Sequence, residues 1–218
     1  DPGTLTYWTD AGATVALGTP GTVGTGMYYI QLEDGNTCTN IQAVNAVVNA
    51  TPNATATNNG PVCSGNSFTL NETGGNATSW MWTTSGGAVI TVNTDQSPTV
   101  SGAVDGEMFT VTVMDGNGCV NTDITAVSVI PQPVIDVQAD VTVCGSYTLP
   151  AITGTNLTGG EAYYDDTQAN SGSVVTGPIT ATTTLYIYDA NGSCSDEESF
   201  VVTITDSPDI TNPGPIAA

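Results

Sequence analysis

Polar and apolar positions alternate most clearly between Met108 and Cys119, in the run Met-Phe-Thr-Val-Thr-Val-Met-Asp-Gly-Asn-Gly-Cys. Phe109, Val111 and Val113 fall on one side of an extended chain, and Thr110 and Thr112 on the other. This is the period of a strand with a single buried face. Asp115-Gly116-Asn117-Gly118 supplies residues that tolerate positive φ, so the chain turns back there, and Cys119 opens a return strand, Val120–Ile130. The pattern occurs twice more, from Met27 to Cys38 (MYYIQLEDGNTC) and from Leu185 to Cys194 (LYIYDANGSC). Three copies of one strand–turn–cysteine unit, about 80 residues apart, predict a tandem array of similar modules.

The middle copy predicts strands over Ser67–Thr73, Ser79–Thr84, Ala88–Val92, Pro98–Val104 and Met108–Met114 ahead of the return strand. Short strands with a turn every 8–12 residues describe an antiparallel β-sandwich. The third copy is briefer, with Glu161–Asp165, Val174–Thr176, Ile179–Thr182, Leu185–Asp189 and Glu198–Ile204. No stretch carries a 3.6-residue apolar period, so no helix is expected. Proline-bearing stretches, Asn49–Pro61, Ile130–Asp140 and Asp206–Ala218, read as short stiff linkers. The expected division is a module lacking its first strands over residues 1–50, modules over 51–131 and 132–206, and a linker into a following module over 207–218. Asp1 falls inside a module, so the chain reads as an excerpt of a longer one.

Composition narrows the partners. The 218 residues include no Lys, Arg or His, against 21 Asp and Glu, for a formal charge of −21; average usage would place roughly 25 Lys and Arg in such a chain. No side-chain salt bridge can form within it. Nucleic acid and anionic membrane surfaces are unfavourable partners, and trypsin-like proteases find no site. Hydrophobic residues at 39% separate the chain from acidic disordered tails.

The five cysteines fall into two classes. Cys38, Cys119 and Cys194 follow the turn; Cys63 and Cys144 precede a different strand, in Val62-Cys63-Ser64-Gly65 and Val143-Cys144-Gly145. Spacings of 81 residues from Cys38 to Cys119 and from Cys63 to Cys144 place them at repeated positions. Pairing within modules, Cys63–Cys119 and Cys144–Cys194, is one scheme. Strand parity favours another: five strands on from Cys63, the turn before Cys119 lies at the opposite end of the sandwich. A strand of seven residues spans about 23 Å, whereas a disulfide needs Cα atoms within about 7 Å. In a head-to-tail array Cys63 would meet Cys194 of the next module, with Cys38 and Cys119 pairing before Asp1 and Cys144 beyond Ala218. Either scheme implies an oxidising compartment.

Candidate chemistry is sparse. Without His, Lys or Arg the usual general bases, Schiff-base amines and oxyanion-holding cations are missing, and an enzyme is not expected. Asp165 and Asp166 are adjacent on a strand and point to opposite faces; Asp196, Glu197 and Glu198 are the other acidic group. Asp34-Gly35-Asn36, Asp115-Gly116-Asn117 and Asp189-Ala190-Asn191 suit turns better than a calcium loop, which would need spaced acids and a closing Glu. No cofactor is expected beyond loosely bound calcium. Trp80 and Trp82 share one face of a strand; a core position is the commoner fate of such residues, and stacking on a sugar ring the other. Tyr7-Trp8 and Tyr163-Tyr164 occupy equivalent places, which favours a structural role. Asn-x-Ser/Thr triplets at Asn49, Asn53, Asn71, Asn76, Asn156 and Asn191 matter only if the host glycosylates them.

The segments CSGNSFTL, WMW and FTVTVMDGNGC in the second module, with CGSYTLPAITGTNLTGGEAYY and LYIYDANGSC in the third, resemble the Ig-like or PKD-like repeats of giant Bacteroidota cell-surface adhesins of the SprB gliding-motility type. The resemblance covers essentially the whole chain. It implies tandem Ig-like β-sandwich modules in a head-to-tail rod, export by type IX secretion and display as a filament on the bacterial cell surface. Partners would be neighbouring modules of the same chain and an extracellular surface or glycan. It transfers no catalytic or ligand residue. The rival readings are a polymerising subunit completed by donor-strand exchange and a set of carbohydrate-binding accessory modules.

Overall fold

The structure, a computed structural model, describes residues 3–206 and residue 208. The expected linker over 207–218 lies almost entirely outside the described residues. The regular structure of the described residues is β-strand, apart from two three-residue 3₁₀ turns at Pro20–Thr22 and Gln168–Asn170.

The first sheet is antiparallel in the order β1 (Thr4–Trp8), β2 (Gly26–Glu33), β3 (Thr39–Ala46). Next come β4 (Ala56–Asn58), β5 (Val62–Cys63), β6 (Phe68–Glu72), β7 (Ser79–Thr84), β8 (Val89–Ile90), β9 (Thr99–Ser101), β10 (Met108–Met114), β11 (Val120–Ala126) and β12 (Val129–Ile130). They form one sheet in the order β4-β6-β9-β8, another in the order β11-β10-β7, and a parallel pair of β5 with β12. In immunoglobulin lettering these are the sheets A-B-E-D and G-F-C, with a short strand A′ beside the end of G. The strand order makes this module Ig-like.

The third set is β13 (Val134–Ile135), β14 (Val141–Cys144), β15 (Gly154–Thr155), β16 (Ala162–Tyr164), β17 (Thr183–Asn191) and β18 (Cys194–Thr205). Its large sheet runs β14-β18-β17-β16, which is A′-G-F-C, with β14 parallel to β18. The opposing layer is reduced to the pair β13–β15 and a single bridge between Tyr147 and Ile179.

Each of these two sandwiches has its own core. Alternation in β10 buries Phe109, Val111 and Val113 as the sequence pattern predicts, against Phe68, Leu70, Trp82 and Val100. Antibody domains place a disulfide between strands B and F; here Phe68 and Phe109 meet edge to face with ring centroids 5.6 Å apart. In the third module Leu185, Ile187, Phe200 and Val202 are buried, and Tyr147 and Tyr163 both pack edge-on against Phe200. Tyr7, Trp82 and Tyr163 occupy one repeated position, opposite Ile30, Val111 and Ile187 of the neighbouring F strands. The sheet β1–β3 has the same inward residues but, among the described residues, no second sheet over them, so Tyr7, Tyr28, Ile30 and Val44 line an open apolar groove.

Several sequence expectations need correction. The linkers Asn49–Pro61 and Ile130–Asp140 contain strand A of the following module, β4 and β13 respectively. The return strand predicted over Val120–Ile130 is two strands: Val127 is buried yet still bonds the Glu107 and Gly106 backbone, and Val129–Ile130 then change partner to pair in parallel with β5. Val174–Thr176 and Ile179–Thr182 form no strands: each contributes one isolated bridge, Val174 to Tyr164 and Ile179 to Tyr147.

Trp82 is 1% exposed and its indole N–H donates to the Asp95 carbonyl at 3.1 Å. Trp82→Ala is expected to cost about 3–5 kcal/mol in urea unfolding followed by far-UV circular dichroism. Met81→Ala, on the outer face of the same strand, is expected to cost under about 0.5 kcal/mol. Equal costs would contradict the assignment of faces.

Candidate functional site

The junction between the second and third modules carries the only disulfide among the described residues. Cys63 and Cys194 are bonded, with Cα atoms 5.6 Å apart and a sequence separation of 131. Cys63 closes β5, where parallel pairing sets it beside Ile130, and the Ser64 N–H donates to the Ile130 carbonyl at 2.8 Å. Gly65 (φ +85) then carries the chain away from the junction. Cys194, 1% exposed, opens β18 opposite Asn191, at the end of the β17–β18 hairpin. The within-module partners Cys119 and Cys144 are not bonded, and Cys38 is also a thiol here.

Hydrogen bonds hold the connector between the two modules from both sides. The Gln132 N–H donates to Ser64 Oγ on the second module, while its side-chain amide donates to the Ser195 carbonyl on the third. Asn191 Nδ2 donates to the Pro131 carbonyl and Asn156 Nδ2 to the Gln132 carbonyl, both at 3.1 Å. The Ile135 N–H donates to Asp196 Oδ2 at 2.7 Å.

At the junction between the first and second modules the second module holds the incoming chain. The Ala56 N–H donates to Asp123 Oδ2 at 2.8 Å, and Asn121 Nδ2 donates to the Pro52 carbonyl at 2.9 Å. Cys119 Sγ lies 4.0 Å from the Asn49 carbonyl oxygen.

The remaining acidic candidates are occupied by their own backbone. Asp34 Oδ1 accepts from the N–H groups of Asn36 and Cys38, and Asp115 Oδ1 from those of Asn117 and Cys119, each at 2.9 Å. The Cys119 N–H is the largest influence holding the Asp115 carboxyl below its ordinary pKa. Asp189 does not share that role, although its sequence suggests it. The β17–β18 hairpin runs on to Asn191 and Cys194, so Asp189 sits inside the ladder, 2% exposed, and accepts from the hydroxyl and N–H of Thr158. Asp165 accepts from Ser173 N–H, Asp166 from Thr167 N–H, and Glu197 from Gln168 N–H. Among the described residues no three acidic or cysteine side chains converge as metal ligands.

Two buried glutamates escaped the sequence reading. Glu72, with no exposed surface, accepts from the N–H groups of Thr55 and Gly74 and from the Trp80 indole. Glu107, 4% exposed, accepts from the Thr84 hydroxyl and the N–H groups of Ala88 and Val104. Their donors are mostly remote in sequence, so no local pattern marks these acids. Trp82 is in the core, and Trp80 spends its indole N–H on Glu72 while one side stays open beside Met81, Met114 and Val120.

No protein-family model and no curated protein matches the chain. Solved structures similar to it include the insect immune protein hemolin, at 10% identity over 93% of this chain and 68% of that one, with a TM-score of 0.39. Extracellular domains 3–5 of Drosophila OTK align at 10% identity over 92% of this chain and 85% of that one, at 0.38. Immunoglobulin domains 1–4 of Sidekick-1 align at 13% identity over 94% and 68%, at 0.37. The fold assignment rests on the strand order described above.

Burial by itself would raise the Glu107 pKa, but donation from Thr84, Val104 and Ala88 outweighs it and holds the carboxyl below its ordinary value. A depressed folded-state pKa adds stability that is complete above the unfolded carboxylate range and is lost as pH falls through the folded value. Glu107→Gln is therefore expected to cost about 1–3 kcal/mol at pH 7, where an amide NH₂ faces donors. The gap between wild type and variant should narrow as urea midpoints are taken from pH 7 to below the carboxylate range. Parallel pH profiles would contradict the buried carboxylate's role.

Proposed function

We propose that this chain is a tension-bearing segment of a long extracellular filament, a stalk or adhesive fibre of the gliding or attachment type on a bacterial surface. The Cys63–Cys194 bond carries the reading. A bond between the sheets of one sandwich stiffens that sandwich. A bond from strand A′ of one module to the F–G hairpin of the next joins modules along the chain, which is useful where the chain is pulled. Pulled from its ends, the polypeptide transmits force through residues up to Cys63, across the disulfide, and onward from Cys194. The 131-residue separation between them is bypassed.

Charge and redox chemistry favour the same location. A disulfide between modules is retained where the surroundings are oxidising, and a charge of −21 with no basic residue keeps parallel filaments apart. The sequence resemblance to SprB-type repeats supports type IX export and a role in gliding or attachment. Contacts with neighbouring modules of the same chain are the partner interaction that the junctions favour. The open groove on β1–β3 favours a second reading, in which a strand from another polypeptide completes that sheet. A glycan-binding role has weaker support: Trp82 is enclosed, leaving Trp80 with Met81 and Met114 as an open patch.

Single-molecule stretching from both ends tests the load path. Oxidised chain is expected to unfold with a contour length shorter than that of reduced chain by on the order of 45 nm, the span of the bypassed residues at about 3.5 Å each. The Cys63→Ser variant should behave as reduced chain does. Equal contour lengths in both redox states would overturn the proposal.

A further inference from the structure

We infer that Cys119 is a disulfide-forming site whose partner is the cysteine of a second A′–B type segment, laid parallel to residues 47–49 along the open edge of the first sheet. The inference rests on reading the chain as a run of joined modules and adds a specific bond to it.

Two internal relations locate the partner. Cys63 lies beside Ile130, three residues before Pro133; Cys144 lies beside Thr205, three residues before Pro208. The corresponding connector ahead of the second module has Pro52, and three residues before it stands Asn49. Independently of that count, Cys119 Sγ is 4.0 Å from the Asn49 carbonyl oxygen. The F–G cysteine of the second module thus borders the spot where an A′ cysteine of the first would lie. Cys194 meets its partner at the same place one module further along.

Among the described residues, the edge beside that spot has no partner strand. Val129 and Ile130 are half-buried under β5, whereas Val47 and Val48 are 65% and 56% exposed. The adjoining face, with Tyr7, Tyr28, Ile30 and Val44, lacks the layer that Phe68 and Leu70 supply in the second module. The occupant that fits has the features shared by residues 62–70 and 143–149: a valine and a cysteine, a left-handed glycine (φ +85 at Gly65, +79 at Gly145), then an aromatic residue and a leucine two apart. Its cysteine would reach Cys119 while the aromatic residue and leucine cover the groove.

Bond formation needs an oxidant, and a small-molecule disulfide such as oxidised glutathione is sufficient. The Cys119 thiolate attacks one glutathione sulfur, forming a mixed disulfide and releasing one glutathione thiolate. The partner thiolate then attacks the Cys119 sulfur and displaces the second. Two protein thiols are oxidised to one disulfide, and one oxidised glutathione is reduced to two thiols.

The test offers a synthetic peptide of residues 60–72, which contains Cys63, to the intact chain in oxidised glutathione and maps adducts by non-reducing mass spectrometry. Strand pairing raises the local concentration of the peptide thiol, so the peptide should join Cys119 about tenfold or more ahead of Cys38 and Cys144, although those two are exposed and Cys119 is half-buried. A scrambled peptide of the same composition should lose that preference. Alike distributions for native and scrambled peptides, or preference for Cys38 or Cys144, would overturn the inference. The same spectra report the Cys63–Cys194 bond. Its presence without Cys119 selectivity defeats this inference alone, and its absence defeats the module-run reading beneath it.

Discussion

The covalent bond between Cys63 and Cys194 is the constraint on which the organisation of this molecule depends. In the chain-entropy account, closing a loop of this length removes on the order of 5 kcal/mol of freedom from the unfolded chain. Its placement matters more than its size. Each sandwich fills its core with Trp, Tyr, Phe and branched aliphatics, so no cysteine is needed between the sheets. Cys63 and Cys194 lie instead at the end of A′ and at the F–G hairpin, where their bond unites neighbours. Hydrogen bonds from Asn191, Gln132 and Ile135 then hold the connector in register with the bond.

The absence of any cationic side chain shapes the rest. Buried acids elsewhere are commonly neutralised by Arg or Lys; here Glu72, Glu107 and Asp189 are enclosed by backbone N–H groups, hydroxyls and an indole. Such donors lie at fixed positions in the fold, so Glu72 and Glu107 each tie several segments together, and Asp189 joins its strand to the loop at Thr158. Glu107 draws Thr84, Ala88 and Val104 to one point. The surface acids meanwhile close their own turns, as Asp34 and Asp115 do, which leaves a negative exterior without convergent ligands among the described residues.

Much of this was legible from residue order. Alternation over Met108–Met114 identified the buried face of strand F, and the recurrence of turn and cysteine identified the repeat. Strand parity placed Cys63 at the end of the sandwich away from Cys119, and the structure joins Cys63 to Cys194. What escaped was non-local. Strands A are two or three residues long and sit in proline-bearing stretches, so β4 and β13 looked like linkers. Ile179 and Val174 each make a single bridge, too little to show as a strand's periodicity or its absence. Asp189 follows the turn signature of Asp34 and Asp115, yet a hairpin that closes two residues later moves it into the ladder.

Proteolytic mapping of the oxidised protein without reductant addresses the central claim most directly. With no Lys or Arg to cut, an Asp- or Glu-directed protease supplies the cleavages. The account requires a peptide containing Cys63 joined to one containing Cys194, which separate on reduction. A peptide joining Cys63 to Cys119, or Cys144 to Cys194, would place the bond inside a module and contradict it.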